Sequence, residues 1–191
     1  MNYLVSYNHS GNTWVRYCVE YVTKLPTHGY RKFSISERHQ NFLDIDVDAE
    51  PVLIKRHEII SGEILKNDTF ILLLRDPSKC IKSDQDVHKE FLRYYSLIKY
   101  YEAHEGPKII CWYDEILFSY WIRNFLKHCD VGIDIDQKKL DNLLETWDHH
   151  QKMCKGIYNN PIKKEGADLS VIPKILLEHE LIKNTGYTVH V

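Results

Sequence analysis

The chain has 191 residues and a formal net charge of −2 at pH 7, with 43% hydrophobic and 27% charged residues. This length and composition are typical of one globular domain covering residues 1–191, and the lack of a basic excess argues against a general nucleic-acid-binding protein. No apolar run approaches the length of a membrane span, and the amino-terminal residues lack the features of a signal peptide.

Five cysteines occur, with no C-x-x-C pair among them. An odd number without such pairs indicates neither a disulfide framework nor a zinc ribbon. Reduced thiols in the cytoplasm are the simplest interpretation, so we expect a cytoplasmic protein without a membrane span. The sequence contains no signal for an oligomeric state.

The amino-terminal unit is predicted to be a strand, a polar turn and a helix. An apolar run over residues 3–6 is followed by a glycine-containing turn over residues 8–12. Trp14, Cys18 and Tyr21 then recur at helical spacing. A proline and a glycine close the unit shortly afterwards.

The remaining chain alternates between strand-like and helix-like segments. Short apolar runs predict strands over residues 51–56, 69–74 and 108–113. Helical periodicity predicts helices over residues 88–104, 116–128, 140–147 and 173–183. A polar segment at 154–170 is predicted to be a mobile or ligand-ordered loop.

This alternation predicts an α/β fold, a three-layer sandwich with a central parallel sheet like that of P-loop nucleotide-binding proteins. In such folds ligands bind beyond the carboxyl ends of the strands. Residues that directly follow a predicted strand are therefore the first candidates for a functional site.

The turn after the first strand has the composition of an anion-binding loop. Residues 7–14 read Tyr-Asn-His-Ser-Gly-Asn-Thr-Trp, so a glycine-containing loop leads into a helix whose first N–H groups and dipole favour an anion. The hydroxyls of Ser10 and Thr13 could donate to the same anion. The loop is not a Walker A motif, which needs a second glycine and a lysine. Alternatively, Ser10 or Asn12 simply caps the helix.

A second candidate segment follows the most apolar strand. Arg75, Asp76 and Pro77 come directly after residues 69–74, and Ser83 lies eight positions after the arginine. A guanidinium presents a planar fork to phosphate oxygens, and a hydroxyl one turn into the next helix supplies a further donor. Taken alone, the segment is better explained by an Arg75–Asp76 surface pair, with Pro77 at the first position of a helix.

A third candidate segment, Lys55-Arg56-His57, ends the strand predicted at 51–56. An acceptor hydroxyl must lose its proton when it attacks, and an imidazole with a pKa near 6.5 suits that role at neutral pH. Lys55 could neutralise charge that develops on a transferring group. Otherwise, a histidine at a strand end is a solvated or core residue.

Together these segments resemble the family of sulfotransferases that use 3′-phosphoadenosine 5′-phosphosulfate (PAPS). The family's phosphosulfate loop reads Pro, then Lys or Arg, Ser-Gly, two polar residues and Trp, which residues 10–14 match. The family also carries Arg-(Asn/Asp)-Pro with a serine eight positions after the arginine, as at Arg75 and Ser83. It often has Lys-Thr-His where this chain has Lys55-Arg56-His57. The resemblance covers residues 3–117 well and the remainder poorly, as in a short family member.

The resemblance implies that the first loop wraps the 5′-phosphosulfate and that Trp14 stacks on adenine. It implies that Arg75 and Ser83 hold the 3′-phosphate, and that the product is 3′,5′-ADP (PAP). The cofactor-binding residues implied in this way are His9, Ser10, Gly11, Asn12, Thr13, Trp14, Arg75 and Ser83.

By the same resemblance, His57 is the general base, with Lys55 beside it as a catalytic cation. Glu58 is the reserve candidate for the base, because some family members use a glutamate. No metal is required for this reaction. The acceptor is a small molecule, a glycan or a peptide, and the sequence does not rank these three.

Two further matches are weaker. Lys163, Lys164 and Gly166 resemble the basic, glycine-containing loop that closes over the 3′-phosphate in the family, but a solvated surface loop explains them nearly as well. Residues 112–117 resemble a Tyr-Glu-Asp-Leu segment whose role in the family is mainly structural.

One residue departs from the family pattern. His9 occupies the position of a Lys or Arg that stabilises the departing phosphate, so we hypothesise that His9 is a weaker, titratable catalytic substitute. The departure leaves open a domain that binds PAP or PAPS without turnover. An atypical ATP-dependent nucleotide kinase on the same architecture is the other alternative, disfavoured because a kinase has no 3′-phosphate for Arg75 and Ser83 to bind.

Overall fold

The structure is a computed structural model that describes residues 1–29, 33–38, 43–60, 62–128, 135–157 and 166–186. Within these ranges five strands form one parallel sheet in the order β2-β3-β1-β4-β5. The strands are β1 (Asn2–Ser6), β2 (Thr27–His28), β3 (Leu53–Arg56), β4 (Thr69–Leu74) and β5 (Lys108–Trp112).

Helices lie between β1 and β2, between β2 and β3, and between β4 and β5, whereas no described helix lies between β3 and β4; a 3-10 turn at Glu115–Leu117 follows β5. The described helices are α1 (Asn12–Thr23), α2 (Ile35–Arg38), α3 (Pro77–Cys80), α4 (Val87–Ala103), α5 (Tyr120–His128), α6 (Gln137–Glu145), α7 (Trp147–Ile157), α8 (Lys174–Leu177) and α9 (Glu180–Lys183).

Helices cover both faces of the sheet. Because successive side chains of a strand point to opposite faces, each central strand contributes to both cores. In β4, Ile71 and Leu73 belong to a core that includes side chains of α1, α5, α6 and α7. Phe70 and Leu72 belong to the opposite core, which includes side chains of α4, α8 and α9. The predicted three-layer α/β fold with a central parallel sheet is therefore confirmed.

Several predicted element boundaries are wrong. The helix predicted at 116–128 begins only at Tyr120, after the 3-10 turn. The helix predicted at 140–147 is α6, which ends at Glu145, and α7 extends into the predicted loop. The helix predicted at 173–183 is two short helices, α8 and α9, because the chain leaves helical geometry at His179.

A buried polar network fastens β2 and the segment after it to α1. Arg16 donates from Nε to Thr27 Oγ1 at 2.7 Å. The Glu20 carboxylate, fully buried, accepts from the N–H groups of Thr27, Ile35 and Ser36 at 3.1, 2.8 and 3.1 Å. These bonds satisfy backbone donors that the two-residue strand β2 and the short helix α2 leave without regular partners.

No described helix has both the length and the apolar character needed to cross a bilayer. Four of the five cysteines lie in the described part of the chain, where all four are buried as free thiols: Cys18, Cys80, Cys111 and Cys154.

Candidate active site at the carboxyl edge of the sheet

The loop between β1 and α1 turns through two residues with left-handed backbone geometry. His9 has φ 62° and Gly11 has φ 88°. A Cβ at Gly11 would lie 2.9 Å from Ile116 Cδ1 and 3.0 Å from the ring of Tyr113. Glycine is thus required here twice, for the backbone conformation and for the close approach of the segment after β5.

Two polar side chains of this loop point into the protein. Ser10 is fully buried, and its Oγ lies 3.4 Å from Cys80 Sγ. Asn12 donates from Nδ2 to Ser6 Oγ at 3.2 Å. Neither side chain caps α1, which has Gly11 at its N-cap position without a side-chain hydrogen bond. The alternative that Ser10 or Asn12 merely caps the helix is therefore wrong, and the start of α1 lacks a side-chain acceptor among the described residues.

Trp14 is largely a core residue with an edge at a cavity of about 440 Å³. Its indole is 8% exposed, donates from Nε1 to the Ile116 carbonyl at 2.8 Å, and stacks on Tyr17 at 5.5 Å between ring centroids. Adenine stacking by Trp14 stays a prediction. The cavity walls include His9, Gly11, Thr13, Trp14, Tyr113 and Lys155.

Arg75 joins the second predicted segment to the first. Its Nη1 donates to the His9 carbonyl at 2.8 Å, and its guanidinium lies over the Tyr113 ring at 4.0 Å from the centroid. Its Nε is buried without a hydrogen-bond partner among the described residues. The backbone of Arg75 is held in place by Tyr94, whose hydroxyl donates to the Arg75 carbonyl at 2.9 Å. The Arg75 guanidinium therefore retains N–H groups that can donate hydrogen bonds to a bound anion.

The surface-pair explanation of this segment is half right. Pro77 does begin α3, as predicted. Asp76, however, does not pair with Arg75: it accepts from the Ser78 N–H at 2.9 Å and forms an ion pair with Lys79 at 3.7 Å. Among the described residues no carboxylate neutralises Arg75.

Ser83 is exposed and follows Lys82, which forms an isolated antiparallel bridge with Gly166. A Cβ at Gly166 would lie 2.0 Å from a backbone carbonyl oxygen of α3, so this contact requires glycine. Two of the segments that the family resemblance assigned to the 3′-phosphate are therefore neighbours. Lys163 and Lys164 lie outside the described residues.

His57 follows β3, and its Nδ1 lies 2.7 Å from the Ser6 carbonyl oxygen. Because a carbonyl only accepts, Nδ1 carries the proton and Nε2 keeps its lone pair in the neutral ring. Burial and, to a smaller extent, the neighbouring Lys55 ammonium together lower the pKa of His57 to about 4. His57 is thus a neutral imidazole at pH 7, with one nitrogen able to take a proton.

His9 is exposed at the rim of the same edge. Desolvation lowers its pKa, and the positive charges of Lys82 and Arg75 act in the same direction. The neutral form of His9 is therefore favoured before an anion arrives. Its role as a titratable catalytic cation stays a hypothesis.

The reserve base, Glu58, is exposed and forms an ion pair with Arg93. Arg93 also donates to Glu90 at 2.9 Å, and Glu90 accepts from the Tyr7 hydroxyl at 2.5 Å. Glu58 thus ends a chain of paired groups, and its carboxylate is less available for proton abstraction than the Nε2 of His57. His57 and Lys55 line one cavity of about 600 Å³.

Sequence reasoning missed three residues at this edge. Tyr113, directly after β5, packs under Arg75, and the rule that ligands lie at strand ends could have found it. Lys82 directly precedes Ser83 in the sequence, and its ammonium lies close enough to His9 to lower the pKa of that imidazole. Lys155 reaches the 440 Å³ cavity from α7, a helix whose extent the sequence pattern did not show.

No group of three or more His, Cys, Asp or Glu side chains arranged to hold a metal ion occurs in the described ranges.

No protein-family model matches the chain, and no curated protein matches it in sequence. Among solved structures, part of the chain is similar to mouse sulfotransferase SULT7A1 complexed with PAP, with a TM-score of 0.37 and 15% sequence identity. The match covers 75% of this chain and 62% of that one. This chain therefore spans less than two thirds of SULT7A1, and the likeness is too low to transfer an activity.

Proposed function

We propose that the chain transfers the sulfuryl group of PAPS to an acceptor hydroxyl or amine. The supporting observation is the 2.8 Å hydrogen bond from Arg75 to the His9 carbonyl, which joins two motif segments separated by 66 positions in sequence. A third segment reaches the same edge, because His57 bonds to the last residue of β1. Residues chosen from sequence motifs alone thus converge at adjoining strand ends.

The site has features that suit a doubly phosphorylated nucleotide. The uncapped start of α1 offers N–H groups and a favourable dipole for the 5′-phosphosulfate. Arg75 has a buried Nε without a partner, and Ser83 and Gly166 lie near Lys82 for the 3′-phosphate. Ser10 would contribute through its backbone N–H, because its hydroxyl faces Cys80. The 440 Å³ cavity would take the adenine.

PAPS supplies a sulfur bonded to a good leaving group, the 5′-phosphate of PAP. In the proposed reaction the acceptor oxygen forms a new S–O bond while the S–O bond to that phosphate breaks, and the phosphate keeps the bonding pair. His57 Nε2 takes the hydroxyl proton. Lys55 and the start of α1 offset the negative charge around sulfur, so catalysis comes from positioning and electrostatic stabilisation.

A second candidate function is PAP or PAPS binding without turnover. It is favoured by His9, whose pKa is lowered where the family carries a permanent cation. Without a cation at that position the departing phosphate lacks one source of charge stabilisation. Lys82 lies close enough to affect His9, and for the transferase we propose that it supplies this charge instead.

Incubation with ³⁵S-labelled PAPS, together with thermal melts, tests the proposal. We expect PAP to raise the melting temperature more than ADP with magnesium does, and label to move to an acceptor or, slowly, to water. Label retained in PAPS despite PAP binding would favour the second candidate. Stabilisation by ADP and magnesium alone would support the kinase and contradict both candidates.

A further inference from the structure

The 600 Å³ cavity beside His57 has an unusual set of walls. Among its described lining residues there is no Phe, Tyr or Trp. Ile54 contributes an aliphatic surface from β3, and His28 approaches from β2. The charged side chains around them come from β3, from the segment after it and from α4. A pocket for a flat phenol or a sterol would instead carry aromatic rings in its walls.

Apart from Lys55, which the proposed function assigns to the sulfuryl group, the charges in these walls form two ion pairs. Arg56 is ion-paired with Glu63, and Glu58 is ion-paired with Arg93. Arg93 is fixed further by Glu90 at 2.9 Å. Each pair leaves guanidinium N–H donors and carboxylate lone pairs unused, because a guanidinium has five N–H groups and a carboxylate about four acceptor positions. The two pairs therefore present fixed donors and acceptors with no net charge between them, and Lys55 adds one positive charge to the cavity.

These walls match a molecule that carries adjacent hydroxyl groups. A hydroxyl both donates and accepts, and two neighbouring hydroxyls on a sugar ring can span the two oxygens of a carboxylate or the two nitrogens of a guanidinium. The aliphatic surface of Ile54 suits the C–H face of the ring. A charged acceptor would have to compete with ion pairs already in place, which makes it a poorer fit.

We propose that the acceptor is an uncharged saccharide, bound through vicinal hydroxyls by the Arg56–Glu63 and Glu58–Arg93 pairs, with one hydroxyl directed at His57 Nε2. This inference rests on the proposed function for its chemistry. Saccharide binding itself does not depend on PAPS, so the two can be tested apart. A volume of about 600 Å³ is within the range of small-molecule sites and suits a disaccharide.

Binding is measured with maltose by saturation-transfer NMR, with PAP binding followed on the same samples. Glu63→Gln keeps the side-chain shape but removes the charge, and we expect it to weaken maltose binding about tenfold. Glu58→Gln, at an exposed side chain with little consequence for folding, is expected to act in the same direction. The matched control is Glu105→Gln, which breaks an exposed ion pair with Lys66 at a different cavity.

Transfer of label from PAPS to maltose, 4-nitrophenol, a uronic-acid disaccharide and a tyrosine-containing peptide completes the test. Preferential labelling of maltose, reduced in Glu63→Gln but not in Glu105→Gln, would support the inference. Preferential labelling of any of the other three, or no maltose binding by protein that binds PAP, would overturn it. Maltose binding without PAP binding would overturn the proposed function instead.

Discussion

At the scale of single residues, the environment of His57 decides its chemistry. The Ser6 carbonyl fixes the tautomer, and burial keeps the ring neutral, so Nε2 is free of a proton over the whole physiological range, although a pKa of about 4 makes it a weaker base than an ordinary histidine. The sequence could predict a histidine at this strand end. It could not predict the tautomer, because the partner carbonyl is 51 positions away and meets His57 only through the pairing of β1 with β3.

Replacing His57 tests this role. We expect His57→Asn to lower the rate of sulfuryl transfer by about 10²–10⁴-fold while PAP binding stays within about twofold, because a general base acts on the acceptor proton and not on the nucleotide. His88→Asn, at an exposed histidine on α4, is the control and should retain full activity. Equal activity of His57→Asn and wild type would exclude His57 as the base.

The pH dependence of kcat/KM for PAPS gives a second measure of His57. This parameter reports the free enzyme, in which the pKa of His57 is about 4. His57 loses its function as a base only when it is protonated, so activity should persist as pH falls to about 5 and decline below that. A decline centred near 6.5, the ordinary pKa of histidine, would contradict the buried, neutral ring.

Gly11 is constrained both by its left-handed backbone conformation and by close packing against Ile116 and Tyr113. Gly11→Ala would place a Cβ 2.9 Å from Ile116 at φ 88°, so we expect it to lower the free energy of unfolding by about 1–3 kcal/mol and to weaken PAP binding. The control is Gly156→Ala in α7, where a Cβ meets nothing within 4 Å and helix propensity should add stability. Urea unfolding measures both, and equal stabilities would contradict the strained loop.

At the scale of elements, the sequence predicted those strands and helices whose apolar side chains show directly which of their faces are buried. β4 and β5 were recognisable because they are apolar on both faces, and α4 because its periodicity spans four turns. β2, with two residues, and the four-residue helix α2 have no such periodicity, and the periodicity over residues 173–183 did not show the break between α8 and α9. These short elements are fixed by contacts from distant parts of the chain, which a local pattern does not contain.

The Glu20 network is the clearest of these long-range constraints. Glu20→Ala would leave the buried N–H groups of Thr27, Ile35 and Ser36 without their acceptor. We expect a loss of about 3–5 kcal/mol in the free energy of unfolding, measured in urea. Glu145→Ala, at the exposed end of α6, should change it by less than about 0.5 kcal/mol. A loss below 1 kcal/mol in Glu20→Ala would show that the network is dispensable.

At the scale of the whole molecule, a net charge of −2 is compatible with a local anion site. Arg75 has no acidic partner in the described part of the chain, and Lys82 lies close enough to affect His9. The sequence predicted correctly that Arg75 directly follows β4. The prediction that Ser83 lies one turn into the next helix is wrong, because Ser83 lies in the turn between α3 and α4. Sequence motifs did not predict that Ser10 and Asn12 point inward, because that depends on how tightly the loop packs against Cys80 and β1.

The central claim is that the segments after β1 and β4 together bind one nucleotide that is phosphorylated at both its 3′ and 5′ positions. Calorimetric titration of PAP and of adenosine 5′-monophosphate, which lacks the 3′-phosphate, tests it directly. Wild type should bind PAP more tightly, by about 10–100-fold, as expected for charge-assisted hydrogen bonds worth about 1.5–3 kcal/mol.

In Arg75→Ala that preference should largely disappear, whereas Arg123→Ala, at an exposed arginine paired with Asp141, should keep it. An Arg75→Ala protein that still prefers PAP as strongly as wild type does would contradict the account.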